Sequence, residues 1–195
     1  MENCSKRVLL ALLLLCPAPV IAQVDLEPGT SEVQLWSGGG HSVPGGTPNT
    51  NLWNVGLRYG RILTGPIGPS FLKGEFEYAI DAVPVFLIFQ KSGTVYGAGF
   101  NPLVLKWNFA AHRALVPYLE LSGGTLFTNH DVPAYTNTVN FTPSAALGLH
   151  GLRENCAWTL ELRYLHISNA GLAPLNPGIN SLEVRVGIGR FLRHH

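Results

Sequence analysis

Apolar and polar residues alternate along most of this chain with a period of two, and clusters of Gly, Pro and Asn separate the alternating runs. That period marks strands with one apolar face, because successive side chains point to opposite sides of an extended backbone. The last run shows it most cleanly, with Leu182, Val184, Val186, Ile188 and Leu192 set against Ser181, Glu183, Arg185, Gly187 and Gly189. An earlier run separates Leu72, Phe76, Tyr78 and Ile80 from Lys73, Glu75, Glu77 and Asp81. No stretch repeats at helical spacing over a useful length. The pattern predicts eight strands, over Ser31 to Ser42, Asn51 to Thr64, Phe71 to Val85, Tyr96 to Phe109, Leu115 to Phe127, Val139 to Leu152, Trp158 to Ser168 and Asn180 to Leu192. These exceed the roughly 5–6 residues of an ordinary strand and suit the roughly 9–11 that a tilted strand needs to cross a bilayer.

The predicted connections alternate in length. Gly65 to Ser70, Ala110 to Ala114 and Arg153 to Ala157 are short, whereas Val43 to Thr50, Phe86 to Val95, Asn129 to Thr138 and Asn169 to Ile179 are longer. Outer-membrane barrels place short turns on the periplasmic side and longer loops outside, and an even strand number puts both termini in the periplasm. Parity alone also fits a soluble barrel or sandwich whose apolar face turns inward. Strand length, loop asymmetry and the N-terminus together select an all-β fold, an eight-stranded antiparallel transmembrane β-barrel.

The N-terminus carries Lys6 and Arg7, an apolar run from Val8 to Leu15, then Pro17, Pro19 and Val20-Ile21-Ala22. This reads as a secretory signal peptide over 1–22, cleaved after Ala22, leaving 23–195 as a single outer-membrane barrel domain. Cys4 and Cys16 fall in that leader, so Cys156 is left alone and no internal disulfide is expected. Charged residues make up 13% of the chain, about half the share typical of soluble domains, as lipid exposure requires. A net charge of +1 without a basic cluster speaks against a nucleic-acid partner. His41, His112, His130 and His150 have no metal-site spacing, and Trp36, Trp53, Trp107 and Trp158 fit either interface girdles or core positions.

Chemistry concentrates near the C-terminus, in Tyr164-Leu165-His166-Ile167-Ser168-Asn169-Ala170-Gly171 and the following Asn176-Pro177-Gly178-Ile179-Asn180. By alternation His166 and Ser168 share a face with Trp158, Leu160, Leu162 and Tyr164, while Thr159, Glu161 and Arg163 point the other way. A base and a nucleophile therefore stand at the outer end of a lipid-facing stripe. If the last two strands pair with His166 opposite Asn180, Arg163 meets Glu183 and Glu161 meets Arg185 inside the barrel.

The run His166-x-Ser168-Asn169-Ala170-Gly171, with Asn176-Pro177-Gly178 after it, closely resembles the signature of PagL-type lipid A 3-O-deacylases, acyloxyacyl hydrolases of the outer membrane. The resemblance implies an eight-stranded barrel that hydrolyses the ester-linked acyl chain at the 3-position of lipid A. It assigns Ser168 as nucleophile and His166 as its base, with Asn169, Asn176 and the Gly171 amide as oxyanion donors, and requires no metal or organic cofactor. The partner it implies is lipopolysaccharide in the outer leaflet of a bacterial outer membrane, and it leaves a homodimer open. The family carries Glu at the third triad position, where this chain has Asn180; Glu183 is close in sequence but falls on the opposite face. That departure keeps a second reading in view, a non-catalytic barrel on the same scaffold that acts in binding or envelope stability.

Overall fold

The computed structural model describes residues 26–110, 115–153 and 156–193. The expected leader and its cleavage site, His112, and the tail residues His194 and His195 lie outside them. The strands are β1 (Ser31–Ser42), β2 (Asn51–Ile62), β3 (Gly74–Gln90), β4 (Gly93–Phe109), β5 (Leu115–Thr128), β6 (Val139–Phe141), β7 (Ser144–Arg153), β8 (Cys156–Ile167) and β9 (Ile179–Leu192). Each pairs antiparallel with its neighbours; β1 pairs with β9 and β4 with β5, which closes the sheet. β6 and β7 are two halves of one stave, both paired to β5, so the barrel has eight staves.

Three expectations change. The sixth strand is not continuous: it breaks at Thr142-Pro143, where the proline ring removes a ladder donor. Phe71 and Leu72 are not in a strand but in a 3₁₀ turn, Ser70–Leu72. The long connection expected over Phe86 to Val95 is a tight turn at Lys91 and Ser92, because β3 and β4 run on as 17-residue strands. Bulges at Pro84 and Pro102 absorb the prolines within that hairpin. The contrast in connection length between the two ends is correspondingly weaker than the sequence implies. The expectation of no internal disulfide concerned the chain without its leader, whereas Cys156 is disulfide-bonded in the full-length chain.

Which way the apolar face turns is settled by exposure. Leu121 is 61% exposed and Leu147 60%, along with Leu57, Leu160, Leu162, Tyr164, Leu182 and Val184 around the outside. Glu32, Glu77, Asp81, Lys106, Glu120, Arg163 and Glu183 are buried within. The barrel is thus inside-out relative to a soluble one, as a lipid environment demands. Trp53 and Trp158 stand on the outer surface, whereas Trp36 lies inside with the Arg185 guanidinium 3.6 Å above its ring. Gly56 faces that ring; a Cβ there would lie 2.2 Å from the indole.

Polar side chains fill the interior as a connected lattice. Arg58 forks onto Asp81 (2.7 and 2.9 Å) and onto Glu120 (2.6 and 2.9 Å). Arg163 reaches Glu120 as well and holds Glu161 at 2.8 Å, and Lys106 holds Glu32 at 2.7 Å. Bidentate geometry of this kind offsets the cost of taking charges out of water. Apolar layers cap the lattice at both ends: Leu26, Ile62, Val116, Leu152 and Ala157 at one, and a larger cluster including Trp36, Phe86, Ile88, Leu126, Leu165, Ile167 and Ile179 at the other. A residual void of about 20 Å³ beside Trp36, Asn54, Arg163 and Arg185 has room for about one water, not for a channel.

Candidate active site

The last two staves pair in the register set out above as a condition, with His166 opposite Asn180, Arg163 opposite Glu183 and Glu161 opposite Arg185. Inside the barrel the outcome is only partly the expected one. Glu161 and Arg185 approach to 3.7 Å, but Arg163 turns to Glu120 and Glu161, and Glu183 accepts instead from Asn54 Nδ2 at 3.1 Å. Barrel closure brings β5 side chains across the lumen, and the forked guanidinium takes the two-sided partner.

On the outer face, the His166 ring Nδ1 lies 2.6 Å from Asn180 Oδ1. With Nδ1 carrying the proton and donating to that oxygen, Nε2 is left free to accept. Asn180, although on the lipid-facing side of β9, is 8% exposed, because the loop after β1 folds over it. Val43 N–H donates to the Asn180 carbonyl at 2.7 Å, and Thr47 N–H to the Gly178 carbonyl at 2.8 Å. Gly45, at φ +103°, passes so close that a Cβ would lie 2.8 Å from Asn180 Nδ2. This loop was not legible as part of the site; its only signal is the glycine pair Gly45-Gly46.

Ser168 stands two residues beyond His166 on the same face. Its backbone exchanges both hydrogen bonds with Phe141, at 2.7 and 3.1 Å, while His166 N–H donates to the Pro143 carbonyl at 3.0 Å. The break in the sixth stave therefore sits directly beside the pair. No side-chain bond joins Ser168 Oγ to His166 among the described residues; such contacts commonly tighten only with substrate bound. The inward neighbours Leu165, Ile167 and Ile179 are buried in the apolar cap, which holds the strands behind the site.

The three expected oxyanion donors divide. Asn169 Oδ1 accepts from Gly171 N–H at 2.9 Å and its Nδ2 donates to the Leu175 carbonyl at 2.9 Å, so it staples its own loop. Asn176 Oδ1 accepts from Asn169 N–H at 3.1 Å, which leaves the Asn176 Nδ2 as a donor on an exposed side chain. Gly171 N–H is already engaged by Asn169. No group of three or more potential metal ligands gathers among the described residues.

The family described as lipid A 3-O-deacylase (PagL) matches residues 49–189, from the start of β2 into β9, a range that includes His166, Ser168 and Asn180. The chain belongs to this family. The crystal structure of the outer membrane enzyme PagL superimposes with a TM-score of 0.61 at 19% identity, over 79% of this chain and 97% of that one. OprG, an outer membrane protein from Pseudomonas aeruginosa, superimposes with a TM-score of 0.57 at 10% identity, over 88% of this chain and 99% of its own. No curated protein matches in sequence. At these identities the structural likenesses establish the fold, an outer-membrane β-barrel, and the family match supports a place among lipid A deacylases of the bacterial outer membrane.

Proposed function

We propose that this chain is a serine esterase of the outer membrane that removes the 3-O acyl chain of lipid A. The observation that carries the reading is the His166–Asn180 contact of 2.6 Å, held on the outer face of the barrel beside Ser168. A serine hydroxyl is a weak nucleophile until a neighbour accepts its proton, and a histidine with a fixed tautomer supplies that acceptor. Ser168 Oγ attacks the ester carbonyl carbon as His166 Nε2 takes its proton. The tetrahedral intermediate collapses, the sugar 3-oxygen leaves with the proton returned by His166, and water then frees the acyl group from Ser168 by the same steps in reverse. Asn176 Nδ2 is the side-chain donor left for the oxyanion; one such donor is worth roughly 2.7–4 kcal/mol of barrier. The site stands at the end of the barrel away from both termini, at the level of the outer leaflet.

Asn180 fixes the imidazole but brings no negative charge to stabilise the imidazolium, and an amide in place of the acid costs on the order of 10⁴ in turnover in a serine triad. Glu183 is no substitute, since it is buried in the lumen against Asn54. This same observation favours the second reading, a non-catalytic barrel of the family scaffold. Mass spectrometry of lipid A incubated with the refolded chain in detergent separates them. Loss of one hydroxyacyl mass with the wild type, and none with Ser168→Ala, supports the esterase. Unchanged lipid A with the wild type, restored to cleavage by Asn180→Glu, means a scaffold that has shed its chemistry.

A further inference from the structure

We infer that a cavity at the end of the barrel that carries Ser168 is a binding site for neutral saccharide, separate from the esterase site and independent of the esterase reading. It has a volume of about 440 Å³, within the roughly 300–1,000 Å³ of small-molecule sites, and lies between the β3–β4 turn and the connection 129–138 that joins β5 to β6. Its walls include Ser92, Thr94, Asn129, His130, Asp131 and Tyr135. From Ser168 it is two to three staves around the barrel, about 10–14 Å at the spacing of about 4.8 Å between neighbouring strands.

The connection forms a fixed wall. Val132 is fully buried in the apolar cap with Ile88, Val95 and Leu126, which anchors the segment in the barrel mouth. Gln90 Nε2 donates to the Asp131 carbonyl at 3.0 Å and Gln90 Oε1 accepts from Ala134 N–H at 2.9 Å, while Val132 N–H donates to the Asn137 carbonyl at 2.9 Å. These bonds hold Tyr135 at φ +68°, in the left-handed region that a bulky side chain rarely adopts, with the residue 84% exposed. Strain kept by a rigid surround, on a residue that buries almost nothing, marks a segment shaped for a ligand and not for stability.

The chemistry of the lining selects the ligand. Asn129 Oδ1 accepts from Tyr96 N–H at 2.9 Å, which leaves its Nδ2 as a donor, while the half-buried Asp131 carboxylate has no hydrogen-bond or ion-pair partner among the described residues. Ser92 and Thr94 add hydroxyls that both donate and accept. A hexose matches this set: its hydroxyls donate to a carboxylate and accept from an amide, and its apolar C–H face stacks on a tyrosine ring. Charge argues against an anionic ligand. With histidines neutral, the four connections at this end, 43–50, 91–92, 129–138 and 168–178, hold Lys91 and Asp131 as their formal charges, and of the two it is the acid that lines the cavity. Exposed Arg61, Lys73, Arg190 and Arg193 lie toward the opposite end of the barrel.

The test is saturation-transfer NMR on the refolded full barrel in detergent, with two probes: the oligosaccharide released from lipopolysaccharide by mild acid and then dephosphorylated, and maltotetraose. Transfer to the first alone supports the site and assigns the glycan of the surrounding outer leaflet; transfer to maltotetraose supports it for neutral hexose of any source. With whichever probe binds, Tyr135→Ala and Asp131→Asn should each weaken binding about tenfold, the scale of one hydrogen bond to a charged group, and Ser168→Ala should leave it unchanged. Because the Tyr135 side chain is exposed, its truncation leaves the fold intact, which heat-modifiable gel migration checks. No transfer to either probe, binding that requires the phosphates to be left on, or binding unmoved by both substitutions overturns the inference. Binding lost in Ser168→Ala places the saccharide at the esterase site and overturns it as well.

Discussion

His150 and His166 lie on adjacent strands, β7 and β8, yet face opposite ways and do opposite things. His150 is fully buried in the lumen, 3.5 Å from Lys106 Nζ, with its ring centroid 4.5 Å from that of Tyr118 and 5.4 Å from that of Phe191. His166 stands on the outer face with one polar partner, Asn180, and a serine two residues away. The first is one member of a dense charge lattice with no access to substrate; the second has a free ring nitrogen at the membrane surface. Glu183 and Asn180 repeat the lesson on β9: the carboxylate is inside and structural, the amide outside and next to His166. In a barrel of this kind the face a residue occupies decides its role before its chemical type does.

The sharpest way to break the comparison is to remove each histidine. In an Asn180→Glu background, His166→Ala should lower lipid A turnover on the order of 10⁶-fold, the scale of deleting one member of a serine triad, and adding Ser168→Ala should cost no more. His150→Ala should leave turnover per folded molecule unchanged and lower only the stability read from heat-modifiable gel migration. Equal catalytic losses from the two would erase the distinction between the faces.

Next in size is the amide. Asn180→Glu should raise kcat/KM, by up to about 10⁴-fold, whereas Glu183→Gln should leave it unchanged. Arg58→Met probes the lumen: it takes from Asp81 its bidentate partner and leaves Glu120 with Arg163 alone, and denaturant unfolding should show a loss of about 3–5 kcal/mol. The smallest effect concerns the covering loop. Gly45→Ala forces a Cβ against the Asn180 amide and should lower kcat/KM about tenfold in steady-state assays, an effect that vanishes in an Asn180→Ala background if it acts through that amide.

Most of the barrel was legible because period-two alternation fixes face, and face narrows the possible registers. β1 has the limits the sequence implied, and His166 pairs with Asn180 in the register that the sequence left as a condition, since parity fixes the face but not a shift of two residues. What escaped depends on closure or on loops. Arg163 chooses Glu120 over Glu183 because β5 faces it across the lumen, a neighbour that no strand-pair argument supplies. Asn169 looked like an oxyanion donor, but its amide is consumed by Gly171 and Leu175 in its own loop, a local competition that side chains of this type commonly win. The role of the loop over Val43 to Thr50 was invisible because its bonds to Gly178 and Asn180 join segments far apart in sequence.

The most direct test of the account is to treat the refolded barrel with a lipophilic fluorophosphonate and map the adduct by peptide mass spectrometry. A single adduct on Ser168, absent from His166→Ala and formed faster in Asn180→Glu, is the predicted result. Cleavage of lipid A without an adduct on Ser168, or with the adduct on another serine, would contradict it.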